Sequence, residues 1–126
     1  MSKKTTPAVQ PADTLRDLVL SALADLKAID IHSIDVRGQN PLTDIFVVAS
    51  GTSSRHVKSM ADKVVTRAKE TGHQPLGIEG YRQGDWVLVD LNDVIVHIML
   101  PQTRAFYNLE KLWEVTEAHR SSASAI

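Results

Sequence analysis

Three groups of side chains in this 126-residue chain have the type and spacing to do chemistry. The first is Asp90 and Asp93, which flank Leu91-Asn92. If those two residues form a hairpin turn, the carboxylates face each other across the strand pair, and a cation between them relieves their repulsion. That cation is a metal ion or the Lys or Arg of a partner. A metal needs more oxygen ligands than Trp86, Leu88 and Ile95 can add, which favours the partner. Asp and Asn also suit turns for conformational reasons alone. The second group is Ser50-Gly51-Thr52-Ser53-Ser54-Arg55, a small-residue turn entering a helix, whose backbone N–H groups can hold an anion or simply cap the helix. It lacks the second glycine and the lysine of a phosphate loop. The third is the five histidines, His32, His56, His73, His97 and His119. None has a zinc spacing, and His97, on a strand beside Trp86, is more readily a packed ring than a catalyst. With no cysteine, thiolate catalysis, disulfides and cysteine metal sites are excluded. These residues supply no catalytic set, no metal site and no cofactor site.

The elements that must hold these groups begin with Trp86–Leu100, read as a β-hairpin in which Asp90 pairs with Asp93, Leu88 with Ile95 and Trp86 with His97. One face is then Val87, Val89, Val94, Val96, Ile98 and Leu100, an aliphatic core layer. The other carries Trp86, Leu88, Asp90, Asp93, Ile95, His97 and Met99. That mixture of aromatic, acid and thioether suits a partner-binding surface better than a core. Upstream, Asp13 or Thr14 caps a helix that ends near Ala28 with Leu15, Leu18, Val19, Ala22, Leu23 and Leu26 on one side. Ile31–Val36 and Asp44–Ser50 are strands. A second helix runs to about Glu70 on Val57, Met60, Ala61, Val64, Val65 and Ala68, and Pro75–Ile78 is a short strand. Pro101 opens a last helix. The order α-β-β-α-β-β-β-α predicts an α/β (α+β) fold, a single mixed five-stranded sheet with helices packed on it.

Composition narrows the function. The hydrophobic fraction of 43% and charged fraction of 23% are those of a globular protein, with residues 12–118 as one domain between flexible tails at 1–11 and 119–126. No stretch is apolar enough to span a membrane, and the polar start lacks the apolar run of a secretory signal, so a cytoplasmic protein is expected. The net charge of −1 hides an asymmetry. Residues 1–74 hold ten Lys/Arg against eight Asp/Glu, whereas residues 75–119 hold three against seven. The acidic second half repels phosphate backbones and suits a basic protein partner better than nucleic acid.

Several motifs then occur in one order: Asp44-Ile-Phe-Val-Val-Ala-Ser-Gly-Thr-Ser-Ser-Arg-His-Val57, Ala61-Asp62, Glu79-Gly80, Trp86-Val-Leu-Val-Asp90, Asp93-Val-Ile-Val-His97 and Tyr107-Asn-Leu-Glu-Lys-Leu-Trp113. Together they closely resemble the ribosomal silencing factor family, also called Iojap-like, over about residues 12–115. Asn92 stands where that family usually has glycine, and asparagine also tolerates positive φ. The resemblance implies a protein without cofactor or catalysis. It implies binding to the large ribosomal subunit through ribosomal protein L-fourteen, blockage of small-subunit joining, and repression of translation when nutrients are scarce. On that reading Trp86 is the aromatic anchor, Leu91 and Met99 add apolar contact, and Asp90 and Asp93 pair with basic groups. Arg104 and Tyr107 extend the rim. A homodimer of the free protein is also compatible with an exposed apolar sheet face. Two rivals remain. One is a nucleotidyltransferase-like enzyme, given a similar topology, although no Asp-x-Asp pair is present to hold magnesium. The other is an RNA-binding module on the basic outer face of the second helix, which carries Arg55, Lys58, Lys63, Arg67 and Lys69 but no aromatic platform of its own.

Overall fold

A computed structural model describes residues 11–39, 41 and 43–107. Within them the expected order of elements is present: α1 (Pro11–Asp25), β1 (Ile29–Asp35), β2 (Ile45–Ser50), α2 (Ser54–Glu70), β3 (Gly77–Glu79), β4 (Trp86–Asp90), β5 (Val94–Met99) and α3 (Pro101–Tyr107). Of the expected tails, all but Pro11 lie outside the described residues, as does the domain beyond Tyr107. Among the described residues no helix is long and apolar enough to cross a membrane.

The strands form one mixed sheet in the order β1-β2-β5-β4-β3. Only β2 and β5 are parallel neighbours. A parallel pair requires a long connection, and here it runs through α2 and returns by the β3-β4-β5 meander. One face carries the core. Ile45, Val47 and Ala49 of β2, Val87 and Val89 of β4, and Val94, Val96 and Ile98 of β5 meet Leu15, Val19, Ala22 and Leu23 of α1 and the buried stripe of α2. That stripe, Val57, Met60, Ala61, Val64 and Ala68, recurs at the helical spacing that the sequence predicted.

Helix α1 starts at Pro11, ahead of the expected caps, so Asp13 sits in its first turn, where a carboxylate suits the helix dipole. There Asp13 accepts a hydrogen bond from Arg37 Nη2 at 2.6 Å. The hydrogen bond from that guanidinium holds the Asp13 carboxyl below its usual range and ties α1 to the end of β1. At the other end of the helix pair, Asp25 meets Arg67 of α2.

Candidate protein-docking surface

The second face of the sheet follows from register. Trp86 pairs with Met99, Leu88 with His97 and Asp90 with Ile95 across β4 and β5, while Phe46 and Val48 of β2 lie beside Ile95 and His97. Relative to the expected pairing, the hairpin is shifted by two residues. A shift of two preserves which side chains share a face, so the division into an aliphatic face and a mixed face stands. The turn moves, however. Leu91 N–H donates to Val94 O at 2.9 Å, leaving Asn92 and Asp93 as the turn, and Asn92 takes the left-handed conformation with φ of 74°. Asparagine accepts that conformation far more readily than leucine would.

Three expected contact residues are relocated by this geometry. Leu91 falls on the core face opposite Val94 and is 4% exposed within the hydrophobic core, because the turn begins after it. Met99 is on the mixed face as expected but fully buried, between Ser50 of β2 and Trp86 of β4 in the register of the sheet. Arg104 is buried as well, and its Nη1 donates to Ser50 Oγ at 2.9 Å, so it fastens α3 to the end of β2 and forms no part of an exposed rim. Tyr107 closes α3, and its side chain lies outside the described residues. Trp86, Asp90 and Asp93 are each half-buried and reach the surface.

Asp90 and Asp93 do not face each other, since Asp90 stands opposite Ile95. The cross-strand pairing on which a metal reading rested is absent. Asp90 Oδ1 instead accepts from Asn92 N–H at 2.9 Å, closing the turn locally. The carbonyl of Asp93 accepts from the N–H groups of both Asp44 and Ile45 at 3.1 Å, which locks the turn to the start of β2. Among the described residues no cluster of three or more His, Asp or Glu side chains is arranged to hold a metal.

Trp86 is held by His97, its diagonal neighbour. Indole Nε1–H donates to His97 Nδ1 at 3.1 Å, so the neutral ring carries its proton on Nε2. The ring centroids lie 5.9 Å apart, and Phe46 lies 5.8 Å from His97 on the other side. Burial pushes the His97 imidazole down to about 4, which keeps it a neutral acceptor at neutral pH. A row of Phe46, His97 and Trp86 thus crosses three strands and fixes the indole in one orientation. The main chain adds a further constraint. Gly80 approaches Trp86 so closely that a Cβ there would lie 2.1 Å from the Trp86 carbonyl oxygen, and its φ is +78°. Beside the indole is a cavity of about 310 Å³ lined by Glu79, Gly80, Asp85, Trp86 and Leu88. Glu79 and Asp85 were missed as site residues, although both contribute to the acidic excess of the second half.

The Ser50–Arg55 turn is occupied by its own chain. Ser53 Oγ caps α2 by accepting from His56 N–H at 3.1 Å, and Thr52 N–H donates to His56 Nδ1 at 2.9 Å. His56 Nε2–H then donates to Leu26 O at 2.7 Å, linking the end of α1 to the start of α2. The N–H groups of Gly51, Thr52, His56 and Val57 are thus engaged within the chain, and the turn caps α2.

A family model described as "Ribosomal silencing factor during starvation" matches residues 9–125. The chain is 44% identical over 99 residues to Ribosomal silencing factor RsfS of Haemophilus influenzae, an alignment covering 79% of this chain and 97% of that one. A solved structure from Chromobacterium violaceum superposes with a TM-score of 0.81 at 40% identity, covering 83% of this chain and 88% of its own. One from Bacillus halodurans gives 0.73 at 38% identity, over 79% and 93% respectively. Matches of this extent in both sequence and fold show that the chain belongs to the ribosomal silencing factor family.

Proposed function

We propose that this protein represses translation by binding the large ribosomal subunit through ribosomal protein L-fourteen, at the face the small subunit must occupy. It acts as a binding protein and not as an enzyme. Two macromolecules that need the same surface exclude each other, so occupancy alone prevents subunit joining. The observation that supports this reading best is the grouping at the β4 side of the sheet. There a half-buried indole, oriented by His97, stands beside Glu79 and Asp85, with Asp90 at the far end of the same strand and Asp93 at the turn that follows. A large oriented aromatic ring serves as an anchor, and carboxylates around it select a partner rich in Lys and Arg. Half-buried Leu88 and Ile95 on the same face are the apolar surface on which a homodimer of the free protein would rest, and light scattering at micromolar concentration reads out that state.

Sedimentation with purified large subunits tests the assignment. Wild-type protein is expected to co-sediment, with Trp86→Ala and Asp93→Lys each reducing the bound fraction by about tenfold or more at limiting protein. Full binding by both folded variants would overturn it.

A further inference from the structure

Helices pack about 8–10 Å apart and strands about 4.8 Å apart, so two helices side by side cover about four strands. In this sheet α1 and α2 share the core face, and the fifth strand, β3, lies beyond them at the edge. Ile78 pairs with Val89 and so belongs to the core face, yet it is 42% exposed while Val89 is fully buried. Between α2 and β3 runs a groove of about 430 Å³ lined by Ala61, Asp62, Val65, Thr66, Ile78 and Tyr81. Leu76, two residues before Ile78 in the chain, is 68% exposed.

We infer that this groove docks an amphipathic helix of a partner protein, seated where a third helix of the layer would lie and carrying acidic residues along its flank. The apolar floor calls for side chains at helical spacing. The acidic flank follows from the rim. Arg55, Lys58 and Lys69 are spaced at three- to four-residue steps with Asp62 and Val65, on the groove side of α2. Lys58 Nζ lies 5.7 Å from the centre of the Tyr81 ring. The one carboxylate lining the groove, Asp62, is exposed and accepts from Tyr81 Oη–H at 3.0 Å, and the three cations of the rim outnumber it. Because Ile78 and Trp86 are on opposite faces of the sheet, this site and the ribosome-facing one can be filled together.

The test uses the full chain and a labelled synthetic helix of about eighteen residues with Leu at positions i, i+3, i+4 and i+7 and Glu on both flanks. A matched peptide with Lys in place of Glu and a single-stranded oligouridine serve as competitors for the assignment. Fluorescence anisotropy should show saturable binding of the acidic peptide, weakened at least about tenfold by the Glu-to-Lys exchange and by Lys58→Glu. Amide shifts should cluster at Ala61, Val65, Ile78 and Tyr81. Val65→Glu should abolish binding, Ile78→Ser, at an exposed position, should weaken it without unfolding the chain, and Trp86→Ala should leave it unchanged. No saturable binding of the acidic peptide would overturn the inference. So would equal binding of the two peptides, shifts on the Trp86 face, tighter binding of the oligouridine, or self-association through this groove.

Discussion

His97 couples the setting of Trp86, the proposed anchor, to pH. Its ordinary value of 6.5 falls to about 4 in the folded state because the ring is desolvated. The unfolded chain therefore takes up a proton at higher pH than the folded one, and folding is favoured most where both hold a neutral ring. The sign follows: this contribution is whole above about 6.5 and is lost as pH falls toward about 4. The interval corresponds to about 3 kcal/mol. Protonation also removes the Nδ1 lone pair that receives the Trp86 indole. The carboxyls of Asp13, Asp25 and Asp35, held below 3.8 mainly by hydrogen bonds from Arg37 or Arg67, lose their contribution mostly at lower pH. Urea denaturation at pH 7 and pH 4.5 should show the wild type losing about 2–3 kcal/mol that His97→Phe does not lose. Parallel losses in both would refute the assignment. At this scale the sequence was only partly legible. Trp86, Asp90 and Asp93 reach the surface as read, but the burial of Met99 and Arg104 depends on what lies over a sheet face, which alternation within one strand does not encode.

The hairpin and its neighbouring turn act as the mounting for Trp86. Alternation revealed the two faces of β4 and β5, because a side-chain period of two survives any even shift of register. It did not reveal the register itself, which depends on which residue accepts positive φ. Asn92 does, and Leu91 is drawn into the core in consequence. The β3–β4 turn is equally demanding. Gly80→Ala would set a methyl group against the Trp86 carbonyl at a φ of +78°. The expected cost is about 2 kcal/mol or more, with quenched or shifted indole fluorescence as Trp86 is displaced. A thermal melt within error of wild type would contradict this. Helix α3 is tied to the end of β2 by the bond from Arg104 to Ser50. Ser50→Ala should cost about 1–3 kcal/mol by stripping a buried guanidinium of an acceptor, and hydrogen exchange in residues 101–107 should rise. Unchanged exchange there would show that other contacts hold the helix.

For the molecule as a whole, element order and sheet class were readable because each helix and strand carries its own period, whereas strand order was not. The placing of β5 at the centre, parallel to β2, arises from contacts between segments more than forty residues apart. That topology sends α1 and α2 to one face and leaves the β4 side of the other for Trp86, Glu79 and Asp85. On the proposed function, repression needs no moving part and no chemistry, only occupancy. The most direct measurement is light scattering during association of purified small and large subunits, with the large subunit first incubated with the protein. The account predicts that the rise in scattering falls in proportion to the protein added, reaching near zero at saturation, and that Trp86→Ala and Asp93→Lys restore it. Normal association with the protein still bound to the joined ribosome would contradict it.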